Sequence, residues 1–127
     1  MAKFEFDPQT PVIILEVKIK GKIVERQKMA LDTGATYMMI SWETAEVLGI
    51  KPELSRERVE IITASGVEKA PLVTLKSVTV FSKEAKEVKA VVHDLPPRSY
   101  VDGLLGLSFL KNFKFCIDFK EGVLDLI

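Results

Sequence analysis

The stretch KMALDTGATYMMIS, residues 28–41, runs through apolar residues into Asp32, breaks at Thr33 and Gly34, and turns apolar again through Tyr37, Met38, Met39 and Ile40. Two stiff hydrophobic segments thus flank a short carboxylate. A glycine after Asp-Thr lets the backbone turn tightly and lets another chain approach, so the carboxylate is held at the tip of the turn. An ordinary Asp-Thr-Gly β-turn has the same local form, and the surroundings decide between the two.

Upstream, residues 12–19 alternate, with Ile13, Leu15, Val17 and Ile19 on one face, and Lys20-Gly21 turns them into a second strand, 23–31, that leads to Asp32. Downstream, 37–40 reads as a short apolar strand. Ser41 then caps a brief helix over 42–48, with Glu43 in its first turn and Gly49 beyond its end. Segments 56–63 and 68–81 are rich in Val, Ile and Thr and flank Ala64-Ser65-Gly66-Val67, which predicts a long hairpin. A strand over 88–92 closes at Pro96-Pro97, and Gly103-Leu104-Leu105-Gly106 leads into a helical segment, 108–112. Phe113, Phe115, Ile117 and Phe119 alternate, and Gly122 separates them from a last strand, 123–127. The expected class is all-β with two short helices. Each half repeats a strand, a glycine-containing turn and a short helix, which suggests two similar lobes.

The 127 residues fit one domain spanning 1–127, since single cores usually occupy about 100–200 residues. An apolar fraction of 47% beside 28% charged residues allows a packed core and excludes bulk disorder. Acidic and basic side chains number 18 each, and no basic run offers a footprint for phosphates, which argues against a nucleic-acid partner. A single cysteine, Cys116, makes neither an intramolecular disulfide nor a cysteine-rich metal site, and it points to a reducing compartment. The stretch MAKFEFDPQT has no apolar signal region, and no run approaches the roughly 18 apolar residues of a membrane span. The expectation is a cytoplasmic protein with no membrane contact, no metal and no cofactor.

The hydrophobic pair before Asp32, the apolar strand after it, a long hairpin with a small tip, and a later Leu-Leu-Gly before a helix follow in that order over nearly the whole chain. In this order the sequence resembles the retropepsins, the retroviral-type aspartic proteases. It looks closest to the protease-like domain of the eukaryotic DNA-damage-inducible proteins and to small prokaryotic members. The stretches that carry the likeness are residues 30–36 and 102–110. The resemblance implies a retropepsin-like closed β-barrel or sandwich with a flap hairpin. It implies that Asp32 is the catalytic carboxylate, that Thr33 hydrogen-bonds across to a partner's loop, and that Gly34 presents backbone to a peptide. Ser65 and Gly66 would form the flap tip. Ala35, Thr36, Met39, Asp102 and Leu104 would meet substrate, although core packing is an equal reading of Met39.

The chemistry needs two close carboxyls sharing one proton, so that one acts as base on water while the other protonates the scissile carbonyl. Asp102, Asp118 and Asp125 lack the Thr-Gly context, so the second Asp32 comes from a second copy in a two-fold dimer. The apolar ends, Phe4, Phe6, Val123, Leu124, Leu126 and Ile127, would enter an intersubunit sheet. Viral enzymes pair an acidic residue two positions beyond the motif glycine with an arginine after the second-half glycine; those places hold Thr36 and Leu107, so both partners are absent together.

Other chemistries are less well served. Cys116 and His93 would be needed for a Cys-His hydrolase, but no glycine-bounded nucleophile turn surrounds Cys116. Two functions therefore stand: a homodimeric aspartic endopeptidase cutting extended, apolar-flanked peptides, and a weak or inactive retropepsin-like dimer that grips such peptides by strand addition.

Overall fold

The computed structural model describes residues 2–127 and opens with strand β1 (Ala2–Glu5). The hairpin read ahead of Asp32 follows as β2 (Ile14–Lys20) and β3 (Val24–Leu31). Leu15, Val17 and Ile19 are buried while Glu16, Lys18 and Lys20 face solvent, the period-2 burial of a strand with one wet face. Beyond the Asp32 turn lie β4 (Met38–Ile40) and helix α1 (Trp42–Val47), whose N-cap Ser41 accepts the Thr44 N–H at 3.0 Å. A 3-10 turn at Pro52–Leu54 precedes β5 (Arg58–Thr63), and β6 (Gly66–Val80) and β7 (Lys83–Val92) follow. The second half ends in β8 (Gly103–Leu105), helix α2 (Leu107–Leu110), β9 (Phe115–Asp118) and β10 (Val123–Leu126).

Strands run in the order β2-β3-β8-β4-β7-β6, and β6 returns to β2 from Val17↔Val80 to Lys20↔Ser77, so six strands close into a barrel. Closure removes the free edges that an open sheet of this size would expose. Among the described residues β5 pairs only with β6, and the two form the flap hairpin. Two parallel pairs, β3 with β8 and β4 with β7, place the two halves of the chain side by side, which is the spatial form of the internal echo. Phe109, Met29, Met38, Ile40, Leu75 and Leu105 fill the barrel and are fully buried.

Two expectations needed correction. β7 starts at Lys83 rather than 88, because its opening stretch, Lys-Glu-Ala-Lys-Glu, carries one apolar residue, and that residue, Ala85, is the one buried. Phe81 does not extend β6: it sits at φ 57 in the turn to β7 and stacks on Phe4 at 5.6 Å. β1, β10 and β9 form a three-stranded antiparallel sheet within one chain, and Leu124 and Leu126 are fully buried in the common core. In the single chain the apolar ends thus pair with each other.

Candidate active site

Asp32 follows directly from β3, which lies parallel to β8 from Met29↔Gly103 to Leu31↔Leu105. The ladder carries into the turn, where the Asp32 N–H donates to the Leu105 carbonyl at 3.1 Å. Inside the turn the Gly34 N–H donates to Asp32 Oδ1 at 2.9 Å and the Ala35 N–H to the Asp32 carbonyl at 3.2 Å. An Asx turn of this kind fixes the carboxylate through its own backbone. Among the described residues Oδ2 of Asp32 has no hydrogen-bond donor, and the side chain is half-exposed.

The second half of the chain clamps the turn from below. A side chain at Gly106 would collide with the carbonyl oxygens of Ala35 and Tyr37, so only glycine lets the two segments touch here. The Leu107 N–H donates to the Ala35 carbonyl at 2.8 Å, and the half-buried Leu107 side chain packs on the core. A backbone bond and an apolar contact thus stand at the position where viral enzymes have an arginine. Ser108 Oγ accepts the Met38 N–H at 2.8 Å and donates to the Lys89 carbonyl at 2.7 Å, tying β4, α2 and β7 together behind the turn. Sequence reading passed over Ser108, since a lone serine in a helical segment carries no motif.

The other candidate residues fall in three places. Thr33, Gly34 and Thr36 are exposed on the turn and Ala35 is half-buried beside them. Met39 and Leu104 are direct antiparallel partners, both half-buried, while their neighbours Met38, Ile40 and Leu105 point into the barrel. They share the outer face of the sheet next to the turn. Ser65 and Gly66 lie at the flap tip, where Gly66 takes φ +120 and no atom lies within 4 Å of the place a Cβ would occupy. Asp102 stands apart at the entry of β8: its Oδ2 accepts the Lys28 N–H at 2.9 Å, and it lines a cleft of about 600 Å³ with Glu25, Asp94 and Val101 that includes no residue of the turn.

Thr33 borders a second cleft, of about 270 Å³, walled by Phe6, Val12, Leu31, Ile117 and Phe119. Phe119 is 67% exposed and Val12 45%, so an apolar face opens beside the Asp32 turn. The rival pair is not assembled: Cys116 is exposed on β9, and His93 at the end of β7 bonds Glu68 instead. Among the described residues no group of three or more His, Cys, Asp or Glu side chains could hold a metal ion, and no helix is long and apolar enough to cross a membrane.

No curated protein sequence matches the chain. Among solved structures it is similar to a retropepsin-like aspartic protease from Rickettsia conorii, with 27% identity and a TM-score of 0.72 over 100% of this chain and 99% of that one. Residues 15–112, the stretch that contains the barrel, the flap and both helices, match the family described as "gag-polyprotein putative aspartyl protease". With the Asp-Thr-Gly turn seated on the Leu-Leu-Gly strand of a closed barrel, the chain belongs to this retropepsin-like aspartic protease family.

Proposed function

We propose that the protein is an aspartic endopeptidase that works as a homodimer, each chain supplying one Asp32. The observation that carries this reading is the turn itself: a carboxylate locked by its backbone, with one oxygen undonated, beside an exposed apolar face. A second copy related by a two-fold axis would cover the Phe119 and Val12 face and bring the two Asp32 side chains together. Thr33, at the border of that face, would then donate across the axis to the partner's turn.

In such a dyad like charges at close range leave one proton shared between two carboxyls. The ionised carboxylate takes a proton from water as the oxygen attacks the scissile carbonyl, while the protonated partner gives its proton to the carbonyl oxygen. The resulting tetrahedral diol collapses as the carboxyl that took the proton of water passes it to the amide nitrogen and the other carboxylate takes a proton from a diol hydroxyl; the C–N bond breaks, the amine and a carboxylic acid leave, and the dyad again holds one shared proton. Gly34 and Thr36 offer backbone to an extended peptide from below, and Ser65 and Gly66 cover it from above. Ala35, Met39 and Leu104 would wall the side-chain pockets, so bulky apolar residues flank the cut, each contributing about 1.5–3 kcal/mol by burial.

The test is incubation of the purified protein with a peptide library at about pH 5, where a shared-proton dyad persists, alongside sedimentation. Cleavage between apolar residues by a dimeric species supports the reading. A dimer that binds peptides and never cuts them would instead mark a peptide-binding module, and a chain that stays monomeric would contradict both. Phe119→Asp should give a folded, inactive monomer.

A further inference from the structure

Past Leu72 the flap parts from the barrel. Among the described residues β6 pairs with β7 only from Leu72↔Val91 onward, and its stretch before Leu72 pairs solely with β5. A small apolar cluster of Ala70, Leu72, Val91, Tyr37, Val59 and Ile61 covers the base of the hairpin. Further out, Ile62 is 89% exposed and Val67 64%. The tip bonds to itself, with Thr63 Oγ1 donating to the Gly66 carbonyl and accepting the Ser65 N–H. Among the described residues, a single side-chain hydrogen bond joins segment 62–69 to the rest of the molecule: His93 Nε2 to Glu68 Oε2, at 3.1 Å.

The register explains the contact. Continuing Leu72↔Val91 places Ala70 level with His93 and Glu68 one diagonal step beyond on the same face, within reach of a long side chain. His93 is itself anchored, its N–H donating to the Ile40 carbonyl of β4. The charged groups around it are otherwise engaged. Lys89, on the same strand β7, reaches Glu57 at 3.4 Å, and Asp94 accepts the Trp42 N–H at 3.0 Å. Glu68 is the only carboxylate in ion-pair range of the imidazole among the described residues.

We propose that Glu68 and His93 form a latch that holds the flap against the end of β7. Releasing it would free segment 62–69, which has no other side-chain hydrogen bond to the rest of the molecule among the described residues. The latch would set how firmly the flap closes over a peptide, and in that respect it rests on the protease reading above. Both side chains are partly exposed, so the pair shifts the flap equilibrium about two- to fivefold.

The test reads the flap without substrate. Amide hydrogen exchange across residues 63–69, measured at one pH, should quicken about two- to fivefold in Glu68→Ala and in His93→Ala, and the double variant should exchange no faster than either single one. Exchange equal to wild type in both single variants, or effects that add in the double variant, would overturn the latch and leave the protease reading untouched. An intact latch in a protein that cuts no peptide would overturn the protease reading alone.

Discussion

The Asp32 turn and the flap tip are both glycine-containing turns between strands, yet they are held in opposite ways. The turn receives the Leu105 carbonyl, the Leu107 N–H and the close backbone contact at Gly106 from the other half of the chain. Among the described residues, the tip receives no side-chain hydrogen bond from outside its own hairpin except Glu68–His93. One is over-determined and the other is under-determined. That division suits a group that must stay within a fraction of an ångström of a partner carboxylate, facing a cover that must admit a peptide.

Substitutions can sharpen or break this contrast. The largest effect belongs to Asp32→Asn, which keeps the shape of the turn but cannot accept the proton of water; peptide cleavage should fall by roughly 10³-fold or more with the melting temperature held. Leu105→Ala comes next. It empties a fully buried site under the turn, and urea unfolding should show a loss of about 2–5 kcal/mol. Ser108→Ala should cost about 1–3 kcal/mol by the same measurement, because it strands the Met38 N–H and the Lys89 carbonyl. Ile62→Ala, on the exposed flap, should change stability by less than about 0.5 kcal/mol while raising KM for peptides. If Ile62→Ala unfolded the protein as readily as Leu105→Ala, the flap would not be the loosely held region described here.

Deleting residues 123–127 would be a poor test of dimerisation, since Leu124 and Leu126 sit in the chain's own core. This marks the boundary of what the sequence revealed. The barrel hairpin, the Ser41 cap and the strand entering Asp32 were legible because each puts its apolar residues at the period of its element. The start of β7 was not, because a strand with a wet outer face can bury as little as Ala85. Partner choice was also hidden. Phe4 and Leu124, read as ends that would enter a sheet with another chain, lie opposite each other within one chain, a register that no apolar pattern specifies. At the site, the Asp-Thr-Gly and Leu-Leu-Gly stretches were found by motif, whereas Ser108 and the Leu107 N–H act through backbone contacts that leave no pattern in a single sequence.

The central claim is that catalysis takes one Asp32 from each of two chains. Asp32→Asn added in increasing excess to a fixed amount of wild type measures it most directly. Mixed dimers hold one carboxylate and one amide, so cleavage of an apolar-flanked peptide should fall steadily toward zero as wild-type chains are drawn into them. Cleavage that stayed constant however much Asp32→Asn was added, with subunit exchange verified, would show that a single chain carries the whole site and would contradict the account.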